Sequence, residues 1–201
     1  MELQTDEHPP SLRSVDCSRL SSKMLARRMP DVQRIAEDYF QRLLRGEDVI
    51  SSVGALIREW SPRVDMSLPR WGLSRTEYQV QLCAIYTVEV GNGGHSQFFS
   101  NRGGAIAFLV ISALREVALS SLARILERAV TVFPGGIVPA EPDDVGEVLD
   151  ALSPDQESRL DGLDREAFDL FEGVDAALLT YMRTNARDVL CEERGISACP
   201  G

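Results

Sequence analysis

Apolar residues recur along this chain at intervals of three and four, and nowhere do they alternate with polar ones for long enough to make a strand. The pattern predicts helices throughout and an all-α fold class. From Pro30, suited to a first helical turn by its fixed φ, Val32, Ile35, Ala36, Tyr39, Phe40, Leu43 and Leu44 mark one face of a helix that Gly46 stops. A short helix over 48–60 and a Pro-rich connection, SPRVDMSLPRWG, come next. SRTE at 74–77 is a capping box: the Ser74 hydroxyl accepts from the amide three residues on, and Glu77 reaches back. Tyr78, Leu82, Ile85 and Tyr86 then line that helix, with Cys83 on the same side as core packing. Residues 105–117 are apolar on nearly every face, which predicts a central helix surrounded by others. Leu122, Ile125, Leu126, Ala129, Val130 and Phe133 make an amphipathic helix that ends at PGG, 134–136. Helices over 142–152 and from Ser153-Pro154 follow, the second with Gln156 completing another capping box and Leu160, Leu163, Phe168 and Phe171 as its apolar residues. A last helix over about 174–190 buries Ala177, Leu178, Tyr181 and Met182. The predicted organisation is a single compact multi-helix domain over 30–190, preceded by a loosely ordered extension, 1–29, and followed by a frayed tail, 191–201.

Between the Ser74 helix and the apolar one lies VEVGNGGHSQFFSNRGG, residues 88–104. Asn92, Gly93 and Gly94 predict a sharp corner, because Asn and Gly accept the left-handed backbone that ends a helix. HSQFFSN then makes about two turns, with Phe98 and Phe99 entering the core and Gln97 and Asn101, four apart, sharing a side. Glu89, on the last turn before the corner, is placed to accept hydrogen bonds from amides freed there. Glu89, Asn92, Gln97 and Asn101 read as a buried polar network that holds a tight corner rather than as a ligand site. The stretch has neither GxGxxG spacing nor a Walker lysine, and it follows no strand, so it is not a phosphate loop.

Charge changes this picture more than composition does. Hydrophobic residues make up 44% of the 201-residue chain and charged ones 26%, ordinary values for a globular protein. The net charge of -10 is concentrated: 139–175 carries 13 acids against Arg159 and Arg165, for -11, and leaves the rest of the chain at about +1. Such a field attracts cationic partners and repels nucleic acid, so direct DNA or RNA binding through it is not expected. The longest apolar run, 105–111, is too short to cross a bilayer, and the first residues lack the basic start and apolar core of a secretion signal, so a cytoplasmic protein is expected. Cys17, Cys83, Cys191 and Cys199 have no CxxC spacing and read as free thiols. With only His8 and His95 to assist them, no metal site and no cofactor is expected.

The pattern of Glu89, Asn92-Gly93-Gly94, Gln97-Phe98-Phe99, Asn101 and Gly103 resembles the C-terminal domain of the bacterial nineteen-kilodalton DNA-mimic protein family. The resemblance continues through the paired helices at 105–133, LDREAFDLFEG at 163–173 and YMRTN at 181–185, and covers roughly 74–190. His95 departs from it, standing where the family usually has an aromatic or apolar residue. The resemblance implies an all-helical cytoplasmic protein whose best-known relative uses surface carboxylates to imitate DNA phosphates and occupy a DNA-binding regulator; mimicry lives in those carboxylates, while the shared motif lies elsewhere.

Three functional readings follow. The first is a non-enzymatic acidic protein that presents Asp143, Asp144, Glu147, Asp150, Asp155, Asp161 and Asp164 to a basic partner such as a transcription factor. Asp143, Glu147 and Asp150 fall on one helix face, at roughly the 5–6 Å spacing of neighbouring side chains, comparable to phosphates along a strand. A solvated face that only keeps the protein soluble is the plainer account of the same charges. The second reading is an immunity or antitoxin-type protein that neutralises a toxin. The third is a hydrolase using a Glu89/His95 corner, for which the sequence places no nucleophile beyond the adjacent Ser96. A homodimer is compatible with so many apolar helices.

Overall fold

The computed structural model describes residue 67 and residues 69–193, and every described element is helical. The readings for 1–29, the helix from Pro30, the helix at 48–60 and the end of the tail lie outside the described residues. A tight 3-10 turn, Pro69–Gly72, leads into α1, Arg75–Glu116, followed by α2, Ser120–Val130, α3, Pro142–Asp150, α4, Pro154–Phe168, and α5, Val174–Glu193. The last helix thus continues three residues into the expected tail.

Both capping boxes form. Ser74 Oγ accepts from Glu77 N while Ser74 N donates to Glu77 Oε2 at 2.9 Å, and Ser153 and Gln156 repeat the exchange at the start of α4. These pairs use amides that a helix start would otherwise leave without partners.

The 42-residue α1 is not straight. Its backbone leaves helical geometry at Gly93 and Gly94 and again at Gly103, dividing it into segments 75–92, 95–102 and 104–116. Gly94 (φ 71°, ψ -173°) and Gly103 (φ 68°, ψ 175°) occupy the same region, in which the chain is extended but φ is positive. That region is open essentially to glycine alone, and it differs from the left-handed helical cap expected from the sequence. The two breaks fold α1 back on itself, so that Arg75 at its start reaches Glu116 at its end, Nε to Oε1 at 3.1 Å. Glu116 also accepts from Gln79 Nε2 at 2.8 Å and from the Tyr181 hydroxyl at 2.6 Å, which ties both arms of α1 to α5.

The core fills the space between these arms and the later helices. Tyr86, Phe98, Phe99 and Phe133 are fully buried and meet edge to face, Tyr86–Phe98 at 5.4 Å and Phe99–Phe133 at 4.8 Å between ring centres. Cys83 is buried in the same core, and burial first, then the nearby Glu116 charge, pushes its thiol up to about 12, which makes it inert packing.

Two expectations about burial need correction. The helix at 105–117 is not enclosed on all sides: Ala107, Val110, Ala113 and Leu114 are buried, but Ala105, Leu109 and Ser112 are exposed and Phe108 is 62% exposed. Described neighbours pack on one face only, so an apolar sequence did not guarantee a surrounded helix. In α4 the inward stripe is Leu160, Leu163 and Ala167, whereas Phe168 lies outside it, 45% exposed.

At the second break, Gly104 N donates to Pro139 O at 2.7 Å. A Cβ at Gly103 would lie 2.1 Å from Ala140 O, inside any permitted contact. The glycines therefore form the seat for the chain entering α3. Gly103→Ala should cost about 1–3 kcal/mol through both the positive φ and the displaced backbone. Urea unfolding checks this; a variant as stable as the parent would mean that the seat is not tight.

Candidate functional site

The family-like stretch builds two polar clusters on either side of the 95–102 segment. In the first, Glu89 accepts from Gln97 Nε2 at 3.0 Å, from Asn101 Nδ2 at 2.7 Å and, through its other oxygen, from Arg102 Nε and Nη2 at 2.9 and 2.6 Å. Gln97 and Asn101 share a side as their spacing predicted. Glu89 does not take backbone amides from the corner, and Asn92 is exposed and outside the network. Its place is taken by Arg102, which the sequence reading missed although it stands immediately after Asn101. Burial pushes the Glu89 carboxyl up, but the donors Gln97, Asn101 and Arg102 and the Arg102 charge outweigh it, so the group is held below the ordinary carboxylate value. With both oxygens saturated, Glu89 has no lone pair oriented toward a ligand.

The second cluster lies at the first break and was not legible in the sequence. Asp164 of α4, 69 residues away, places Oδ1 2.8 Å from His95 N and 2.5 Å from His95 Nδ1. The ring's other nitrogen, Nε2, is 3.0 Å from the Tyr86 hydroxyl. A carboxylate only accepts, so in the neutral ring Nδ1 carries the proton toward Asp164 and Nε2 accepts from Tyr86. A Cβ at Gly94 would lie 2.1 Å from Asp164 Oδ2, so the bare glycine is what admits the carboxylate. The acceptor sits at the start of the 95–102 segment, where free amides and the helix dipole favour negative charge.

This geometry bears on three of the sequence-level assignments. Asp164, grouped there with the outward acids, is turned inward with its side chain 17% exposed. His95 is paired with Asp164 and Tyr86, not with Glu89, and its ring is fully buried, so the Glu89/His95 corner imagined for a hydrolase is not assembled. Tyr86 is likewise fully buried, and burial, then the Asp164 charge, raises its hydroxyl far above the ordinary range, which leaves it a hydrogen-bond donor rather than a nucleophile.

The other acids divide cleanly. Asp143, Asp144, Glu147 and Asp150 on α3 and Asp155 and Asp161 on α4 are all exposed, and none makes an ion pair among the described residues. By contrast Glu127 pairs with Arg115, and Glu166 with Arg128, whose Nη2 donates to Oε1 at 2.9 Å and ties α2 to α4. Among the described residues no group of acids, His and Cys is arranged to hold a metal ion, and no helix is long and apolar enough to cross a membrane.

A family model described as DMP19-like protein matches residues 72–185, more than half of the chain and close to the span over which the resemblance was expected. No curated protein and no solved structure matches the sequence significantly.

Two outcomes follow from the clusters. Glu89, with its carboxyl lowered on folding, contributes stability that is present above the unfolded value near 4.5 and is lost as pH falls through the lower folded value. Glu89→Gln should therefore lower stability at neutral pH by about 1–3 kcal/mol and flatten the acid limb of the stability–pH curve, as read by urea titrations between neutrality and acid pH. Asp164→Ala should release α4 from His95 and speed amide hydrogen exchange in 154–168 more than in α2. Equal acceleration in both helices would mean that Asp164 is no specific tether.

Proposed function

This chain belongs to the DMP19-like protein family, and from that premise we propose that it is a non-enzymatic binding protein that presents the carboxylates of α3 and α4 to a basic, DNA-binding protein in place of DNA. The observation that carries the reading is that Asp143, Asp144, Glu147 and Asp150 on α3 and Asp155 and Asp161 on α4 are exposed and make no ion pair among the described residues, while the inward Glu89 and Asp164 are matched by donors.

On α3, Asp143, Glu147 and Asp150 are spaced so that each neighbouring pair lies roughly 5–6 Å apart at Cβ, a step comparable to that between phosphates. Like charges at such spacing cost a helix about 0.2–0.5 kcal/mol per pair, a cost that a cationic partner reverses on binding. Arg159 and Arg165 interrupt the face on α4, which makes α3 the more phosphate-like of the two helices. The field also favours fast, salt-sensitive association with a positive surface.

Affinity capture from the native lysate at low and high salt, with DNA as competitor, tests this. A basic DNA-binding protein should be retained at low salt and displaced both by high salt and by DNA. Recovery of a basic toxin that DNA does not displace would favour the immunity-type reading instead. The triple variant Asp143→Lys, Glu147→Lys, Asp150→Lys should lose the captured protein while its helical circular dichroism is unchanged. Capture indifferent to both salt and charge reversal would sink the mimic reading.

A further inference from the structure

The turn between α4 and α5 carries a feature that phosphate imitation does not require. Residues 168–173 read FDLFEG: three large apolar side chains and two acids with no base. Phe168 is 45% exposed and Leu170 38% exposed, while Phe171 is half-buried. Phe168 and Phe171 meet edge to face at 5.7 Å, and Phe171 in turn stands at 6.4 Å over the buried Tyr86. A single exposed apolar residue is ordinary, but here two protrude from a fixed aromatic stack within three positions of each other. On its other side Phe171 borders Gly91, an exposed residue of the corner, where an added Cβ would come within 3.9 Å of the ring.

The charges around the patch define what fits it. Asp169 and Glu172 lie within the turn, with Asp161 and Asp175 on the flanking helices; all four are exposed and make no ion pair among the described residues. Arg165, one helical turn before Phe168, is the opposing charge nearest in sequence, and Glu166 beside it is engaged by Arg128. A neutral apolar partner would leave these carboxylates desolvated and unmatched, which is costly. A purely cationic one would leave the phenylalanine and leucine in water.

We infer that Phe168, Leu170 and Phe171 form an apolar anchor within the acidic surface, and that the surface takes a basic protein segment presenting a bulky apolar side chain among its lysines and arginines. The inference rests on the acidic-surface reading and narrows it. Charge supplies steering and salt dependence, while the anchor supplies slow dissociation that salt does not screen.

Two probes separate these contributions: a Lys/Leu amphipathic peptide and a Lys/Ser peptide of the same length and charge, titrated by fluorescence anisotropy against the full chain. The Lys/Leu peptide should bind about tenfold tighter or more, the equivalent of burying one large apolar side chain, and should keep measurable affinity at high salt. The double substitution Phe168→Ser, Leu170→Ser should erase that difference while leaving Lys/Ser binding and the helical circular dichroism unchanged. Equal binding of both peptides to the parent protein, or a variant that still prefers Lys/Leu, overturns the anchor and leaves the acidic surface standing. Binding of neither peptide overturns both.

Discussion

The contact between Asp164 and His95 organises more of this molecule than its size suggests. One carboxylate oxygen receives both the backbone amide and the ring Nδ1 of His95, and it can do so only because residue 94 has no side chain. Through this contact α4 is fixed to the corner of α1, and through the His95 ring the corner is fixed to Tyr86 in the core. Nine residues further on the arrangement repeats with different chemistry: Gly103 takes the same positive-φ extended conformation, and the amide of Gly104 is captured by the carbonyl of Pro139 on the way into α3. At each restart of the helix, an amide without an intrahelical partner is used to hold one of the two acidic helices.

His95 illustrates what a buried imidazole demands of its surroundings. An apolar residue at that position would need only packing, whereas a buried imidazole needs partners for both nitrogens. Asp164 and Tyr86 supply them, and the other carboxylate cluster, around Glu89, is similarly saturated by Gln97, Asn101 and Arg102. Both clusters resemble catalytic arrangements in composition. Neither offers what catalysis needs, since Tyr86 and His95 are inaccessible to solvent and Glu89 has its lone pairs occupied.

What the sequence revealed follows the range of the interactions. Both capping boxes and the inward pair Phe98 and Phe99 depend on residues within four positions of one another and form as read; the break at Gly93-Gly94 falls where expected but in an extended, positive-φ conformation. The Glu89 network spans 13 residues and was half legible: Gln97 and Asn101 were identified, Asn92 was included wrongly and Arg102 was overlooked. The Asp164 contact spans 69 residues and left no local signal, because an aspartate in a run of acids looks like every other member of the run. Phe168 failed for a related reason: helical periodicity marks a position as apolar-compatible, while its exposure depends on whether another element arrives to cover it.

The motif and the acidic surface are therefore coupled mechanically although they share no residue, since the inward Asp164 ties α4 to the corner. The α3 helix has 9 residues and α4 has 15, lengths at which isolated helices are marginal, and repulsion between unpaired carboxylates weakens them further. Such helices keep their shape only if something else fixes them. Leu160, Leu163 and Val145 contribute packing, but the seat at Gly103-Gly104 fixes the entry to α3, and the seat at Gly94 fixes how closely the later part of α4 approaches α1. The separations between the exposed carboxylates of the two helices are therefore set in part at the glycines, which are themselves uncharged.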